Sequence, residues 1–315
     1  LSVALFGLGV GGILYTLRNP DRSPTLASFA FTCGLEALLV TLPFALGDRL
    51  ALLAVLLRPF GAVGLLGHAL AWTAVTSLVV LPAALVAGYQ FPMLIALLGS
   101  GRRDVGRHVG LAYASNTLGA IGGSLAGGFL LFPTLGATGS WQGCAWTLAA
   151  LGIAAMLLEP RARALQRVLP IATAALSAGL LLTSAGPTAV WRHSPIGAGR
   201  ADFVARLRSR NELRRWMRQQ RYATWWQSDG RESSVAMATL RDTAFVVNGK
   251  SDGSAVIDAT TQVMSGLLGA LLHDEVRRTM VIGLGTGSTA GWLGKLPLVD
   301  AVDVVEIEPD IVEVA

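Results

Sequence analysis

The stretch TMVIGLGTGSTAGWLGKLPLVDAVDVVEIEPDIVE, residues Thr279 to Glu313, reads as one strand–loop–helix–strand unit. Met280, Val281 and Ile282 form a short apolar strand, and Gly283, Gly285 and Gly287 make a tight turn whose backbone can approach a ligand closely. A helix is expected from about Ser288, and Val302 to Ile307 form a second apolar strand ending in acid. Glu306 follows about 20 residues beyond the glycine loop, where folds of this kind place a carboxylate against ribose hydroxyls. Ser288 stands where a dinucleotide fingerprint has its third glycine, which favours an S-adenosyl-type nucleoside over NAD. The bland alternative is a crossover that uses glycine only to turn.

Composition divides the chain. Of its 315 residues 52% are hydrophobic and 14% charged, and such values exclude an ordinary soluble protein. The long apolar runs fall in residues 1–190, while 191–315 have the composition of a soluble domain. The net charge of +5 is carried almost entirely by arginine, Lys250 and Lys295 being the only lysines. Arginines gather at the ends of apolar runs and between Arg192 and Arg221, which points to lipid headgroups before nucleic acid, and no nucleic-acid reading motif accompanies the charge. Cys33 and Cys144 both lie in apolar runs and read as buried, inert thiols, and no metal site is expected. Both ends read as cut. The chain begins without Met or a basic leader, and it stops where a helix after the second strand should begin.

In the apolar part, Leu1–Leu17 is short for a span, whereas Thr25–Leu46 meets the roughly 20 apolar residues a bilayer requires. Glu36 lies inside that run as either a functional carboxylate or a hydrogen-bonded packing residue. Residues 50–99 predict an interfacial helix and one kinked span, Ala71–Leu98. In Val109–Leu135, Ser115, Gly119, Gly123 and Gly127 share one helix face, with Asn116, Ala120, Ser124 and Gly128 in the next row. Such rows permit close backbone approach between helices in lipid, so this span is expected to pack tightly on two sides. Asn116 is also a candidate for lining a substrate path. Ser140–Leu158 and Leu169–Thr188 complete about five to six spans. Arginine-bearing loops at 18–22, 102–107 and 161–167 share one side if five spans connect them; a sixth would then put the basic stretch after Arg192 on the other side. Both topologies stay open.

In the polar part, Phe203–Arg221 predicts a basic amphipathic helix at the membrane surface, with Phe203, Leu207, Leu213, Trp216 and Met217 on its apolar face. Ser233–Leu240 and Thr243–Asn248 read as a hairpin, and Gly249–Ser254 as a polar loop. Asp258–His273 reads as a helix burying Val263, Leu267, Leu268, Leu271 and Leu272. The expected fold is a multi-pass α-helical membrane domain over residues 1–190 and a basic linker over 191–221. Residues 222–315 then begin an α/β Rossmann-like domain of the S-adenosylmethionine-methyltransferase type, preceded by a small β-hairpin region.

The succession Val247-Asn248-Gly249-Lys250, a helix, Val281-Ile282-Gly283-Leu284-Gly285-Thr286-Gly287 and Val305-Glu306-Ile307-Glu308-Pro309 resembles the front of a spermidine synthase domain. Gly88-Tyr89-Gln90-Phe91-Pro92 and Tyr113-Ala114-Ser115-Asn116-Thr117-Leu118-Gly119-Ala120 resemble the membrane half of bacterial proteins in which spans precede that domain. The resemblance implies an aminopropyltransferase in the bacterial inner membrane, its soluble domain cytoplasmic. Its ligand would be decarboxylated S-adenosylmethionine or S-adenosylmethionine, and its other substrate a small polyamine. It further implies that Gly283, Gly285, Thr286, Gly287 and Glu306 hold the nucleoside. Asp252, Asp258 and Gln262 then fall at substrate-binding positions, and the catalytic acid–base residue beyond Ala315. Thr286 and Asp252 stand where the family carries Asp and Gln, and Asp258 is followed by Ala259-Thr260-Thr261-Gln262 in place of a more acidic segment. Two other functions therefore stand beside the enzyme: an amine transporter built on Glu36, and a structural membrane protein with a degenerate domain. A homo-oligomer is left open.

Overall fold

The computed structural model describes residues 1–18, 23–99, 104–159, 163–194, 209–239 and 242–315. The expected basic loops at Asp21, Arg22, Arg102, Arg103 and Arg161, and Phe203 and Leu207 of the basic helix, lie outside them. The chain is mostly helical, with several long apolar helices and a small sheet region, and it divides into two units. One comprises Leu1–Leu131 with Ala137–Pro187, the other Phe132–Gly136 with Thr188–Ala315.

The first unit follows from long apolar runs that can satisfy their backbone only within a helix. These are α1 (Ser2–Arg18), α2 (Leu26–Leu46), α3 (Asp48–Leu57), α4 (Leu65–Leu98), α5 (Val105–Ala126), α6 (Phe132–Leu157, of which Phe132–Gly136 fall in the second unit) and α7 (Ala164–Thr183). Thr25 and Ser28 form a reciprocal cap that fixes the start of α2: Ser28 N–H donates to Thr25 Oγ1 at 3.1 Å and Thr25 N–H to Ser28 Oγ at 3.0 Å. Four described helical runs are long and apolar enough to cross a membrane: Leu26–Leu46, Leu65–Leu98, Val105–Leu157 and Gln166–Thr183. The third covers two expected spans, and its regularity breaks at the π-turn Gly127–Leu131 and at Gly136, whose φ is 66°.

Close backbone approach occurs elsewhere than the small-residue rows predict. A Cβ on Gly11 would lie 2.1 Å from the Leu85 carbonyl, and one on Gly88 2.1 Å from the Leu8 carbonyl. Glycine is thus what lets α1 and α4 touch, with Tyr15 and Tyr89 edge-to-face at 5.1 Å beside them. On α5, by contrast, no residue is buried, and a Cβ on Gly119 or Gly123 meets no described residue within 4 Å. The expectation that this helix packs on two sides is therefore corrected: among the described residues its small side chains meet no helix. Cys33 is buried as expected but Cys144 is exposed, because it lies on an outer face of α6. The unit's core is small and layered, with Ala30, Ala37, Phe44, Ala145, Ala149 and Leu181 among its buried residues.

In the second unit α8 (Ala189–Arg192) and α9 (Arg210–Ala223) precede a four-stranded antiparallel meander. Its strands are β1 (Thr224–Asp229), β2 (Ser234–Thr239), β3 (Thr243–Val247) and β4 (Lys250–Ser254). The expected hairpin is the central β2–β3 pair, with Val235 opposite Val247. The expected polar loop is instead β4, because Asn248 and Gly249 both take positive φ (49° and 77°) and make a two-residue hairpin turn. Then come α10 (Ala259–Leu271), β5 (Arg278–Ile282), α11 (Ser288–Leu293), β6 (Ala301–Val305) and α12 (Pro309–Val314). β5 and β6 pair in parallel as a separate two-stranded sheet, with Met280 opposite Asp303. Ile311 of α12 packs with Val235 and Phe245, so α12 covers one face of the meander. On α9, Trp216, Gln220 and Ala223 turn into this unit, leaving Arg214, Arg215 and Arg218 outward. The expected apolar stripe of α10 is largely open: Leu268, Leu271 and Leu272 are exposed, and only Gly266 is buried.

Candidate functional site

The glycine loop between β5 and α11 is built by backbone conformation. Gly283, Gly285 and Gly287 have φ of 86°, 54° and 75°, a region that side chains disfavour. A Cβ on Gly283 or Gly285 would meet no described residue within 4 Å, so glycine is needed there for the turn rather than for close packing. Gly283 N–H donates to the Val305 carbonyl at 2.7 Å, which carries the parallel pairing into the loop.

Glu306, the residue after β6, joins the two strand ends. Its Oε2 accepts from Leu284 N–H at 2.7 Å, and its Oε1 from Ile307 N–H at 2.8 Å and Glu308 N–H at 3.0 Å. Burial raises the Glu306 carboxyl, but the N–H groups of Glu308, Leu284, Ile307 and Gly285 outweigh it and hold the group below the ordinary glutamate value. A carboxylate offers about four lone-pair sites. Leu284, Ile307 and Glu308 hold that of Glu306 at hydrogen-bond distance, and the carboxylate stays half-buried rather than closed off.

A second group of side chains meets the loop from α10. Thr286 Oγ1 donates to Gln262 Oε1 at 2.5 Å and lies 3.0 Å from Ser288 Oγ. Gln262 Nε2 in turn reaches the Ser254 carbonyl at 3.4 Å, and Ser254 Oγ donates to Asp258 Oδ2 at 2.8 Å. Thr286, Gln262, Ser254 and Asp258 thus form one chain of contacts from loop to β4. Asp252 stands apart on β4, paired with Lys250 at 2.9 Å on the surface. In the first unit Glu36 is partly buried on α2 and Asn116 is exposed on α5.

Two further carboxylates hold this frame, neither marked as a site residue by sequence. Glu308 is 1% exposed. Its Oε2 accepts from Glu232 N–H at 2.8 Å and Ser233 N–H at 3.0 Å, and its Oε1 from Asp310 N–H at 3.4 Å at the start of α12. Gly230 is required opposite it, since a Cβ there would lie 2.2 Å from the carboxyl carbon. Asp242 accepts from the N–H groups of Val256 and Ile257, both at 2.8 Å. The Ile257 bond leads a set of hydrogen bonds that keeps this carboxyl below the ordinary aspartate value. The acid-rich ending Glu306-Ile307-Glu308 signalled polar work at the strand end, but not which carboxylate would turn inward.

No family model, curated protein or solved structure matches the chain.

Proposed function

We propose that this chain is a membrane-anchored, spermidine synthase-like transferase whose second unit binds an S-adenosyl nucleoside. In this reading β5, the glycine loop, α11 and β6 begin a Rossmann-like domain of the methyltransferase type. The ligand is decarboxylated S-adenosylmethionine or S-adenosylmethionine, the acceptor a small polyamine, and the site faces the cytoplasm from the bacterial inner membrane. The observation that carries the reading is the joint geometry of three positive-φ glycines and Glu306, whose carboxylate is held beside the loop by Leu284 N–H.

The chemistry asks little beyond placement. An amine nitrogen attacks the carbon next to the sulfonium, the new C–N bond forms as the C–S bond breaks, and the electron pair leaves on a neutral thioether. The amine must arrive without its proton, so positioning and desolvation supply most of the barrier reduction. Within that scheme Gly283, Gly285 and Gly287 shape the nucleoside loop, and Glu306 takes a ribose hydroxyl. Thr286 belongs to the nucleoside loop, and Gln262, hydrogen-bonded to it, borders the acceptor side.

A second reading, a structural membrane protein with a degenerate domain, is favoured by that same bond: Thr286 and Gln262 already satisfy one another. Titration of the full chain in nanodiscs with S-adenosylmethionine and its decarboxylated form separates the two. The transferase reading expects saturable binding of at least one, and binding of neither at millimolar concentration refutes it.

A further inference from the structure

Glu36 is the central residue of α2, ten positions from either end of a 21-residue apolar helix. At about 1.5 Å per residue this places its Cα roughly 15 Å from each helix end, the middle of a bilayer-spanning segment. One carboxylate oxygen, Oε2, is buried with no hydrogen-bond partner among the described residues. The Gln90 amide of α4 serves the carboxylate, and Gln90 Nε2 also reaches Cys33 Sγ at 3.9 Å. No described Lys, Arg or His forms an ion pair with Glu36. A carboxylate at such depth is either neutral or matched by a cation that comes from outside the fold.

The surroundings indicate which cation. Glu36 lines a cleft of about 290 Å³ whose other walls are Val40, Val79, Val80, Ala83, Ala84, Ala87 and Trp141. Trp141 is fixed there by its indole N–H, which donates to the Val40 carbonyl at 3.0 Å, and by edge-to-face contact with Phe44. A hard metal ion takes six or more oxygen ligands, which these walls do not supply. An organic ammonium needs one carboxylate, an apolar surface for its carbon atoms, and gains from an aromatic face. The cleft volume is close to the lower limit of ligand sites, roughly 300 Å³, so the molecule must be small.

We propose that Glu36, with Gln90 and Trp141, forms a binding site for a small protonated organic amine between α2, α4 and α6. The site belongs to the first unit and is independent of nucleoside binding in the second. Glu36 supplies the counter-charge, Gln90 orients its carboxylate, and Trp141 with the alanines and valines offers an open apolar wall to the hydrocarbon part.

The test uses the full chain in phosphatidylcholine nanodiscs with radiolabelled benzylamine, protonated at neutral pH, as the probe. Saturable binding is expected, weakened at least tenfold by Glu36→Gln and several-fold by Gln90→Leu. Glu36→Asp should retain part of it, and unlabelled benzylamine should compete whereas neutral benzyl alcohol should not. Equal binding by wild type and Glu36→Gln overturns the proposal, as does equal competition by the alcohol, which would mean apolar partition alone. Absence of saturable binding at millimolar probe also overturns it. Should Glu36→Gln fail to fold, the competition between amine and alcohol on the wild-type protein decides by itself.

Discussion

His193 makes the second unit sensitive to mild acid. The residue ends α8, is 4% exposed, and has Nδ1 3.3 Å from Ser234 Oγ on β2, while Nε2 is buried without a partner among the described residues. Burial lowers its affinity for a proton, the adjacent Arg192 lowers it further, and Asp229 and Gln227 recover only part, so the imidazole falls from 6.5 to about 4. In the unfolded chain the same imidazole takes its proton near 6.5. Between these values the unfolded state binds more protons, so the stability contributed by neutral His193 is complete above 6.5 and is lost as pH falls toward 4. At about 1.36 kcal/mol per pH unit, the whole window is worth about 3 kcal/mol, of which about 2 kcal/mol disappears between about pH 7 and about pH 5. Hydrogen exchange on the full chain in nanodiscs, corrected for intrinsic rates, should show protection of β2 and β3 amides falling roughly 20-fold over that interval. His193→Gln should flatten most of the fall. Unchanged protection in the wild type, or an equal fall in His193→Gln, refutes the reasoning.

Other substitutions test the frame around the loop and the helix packing. Glu308→Ala leaves three backbone N–H groups without their acceptor, those of Glu232, Ser233 and Asp310, and should cost the second unit roughly 3 kcal/mol by hydrogen exchange, with Glu308→Gln milder. Gly88→Ala drives a Cβ onto the Leu8 carbonyl and should lower first-unit stability by roughly 2 kcal/mol in thermal unfolding, whereas Gly119→Ala should stay within about 0.5 kcal/mol. Thr286→Val removes the hydroxyl shared with Gln262 and Ser288 and should raise exchange at the loop amides, a loss of about 1 kcal/mol.

The long helices were legible because lipid penalises any unpaired backbone group, so apolar length nearly suffices to draw α2, α4 and α7. Which glycines bring helices together was not legible. The regular four-residue spacing on α5 resembles a packing face, yet contact is made by Gly11 and Gly88, whose partners are backbone atoms remote in sequence. The turn at Asn248-Gly249 carried a readable hairpin signal in its residue types, obscured by the polarity of the five residues that form β4. In the candidate site, three glycines and an acid at fixed separation pointed to a turn beside a carboxylate, and Leu284 N–H does bond Glu306 there. The buried role of Glu308 depends on a turn 75 residues earlier, which no local pattern reveals.

The most direct measurement is calorimetric titration of decarboxylated S-adenosylmethionine and of S-adenosylmethionine into the full chain in nanodiscs, wild type beside Glu306→Ala. Saturable binding of one nucleoside, weakened at least tenfold in Glu306→Ala while the meander keeps its exchange protection, is the predicted result. Binding of neither by the wild type, or equal binding by both proteins, would contradict the assignment of the glycine loop and Glu306 to a nucleoside.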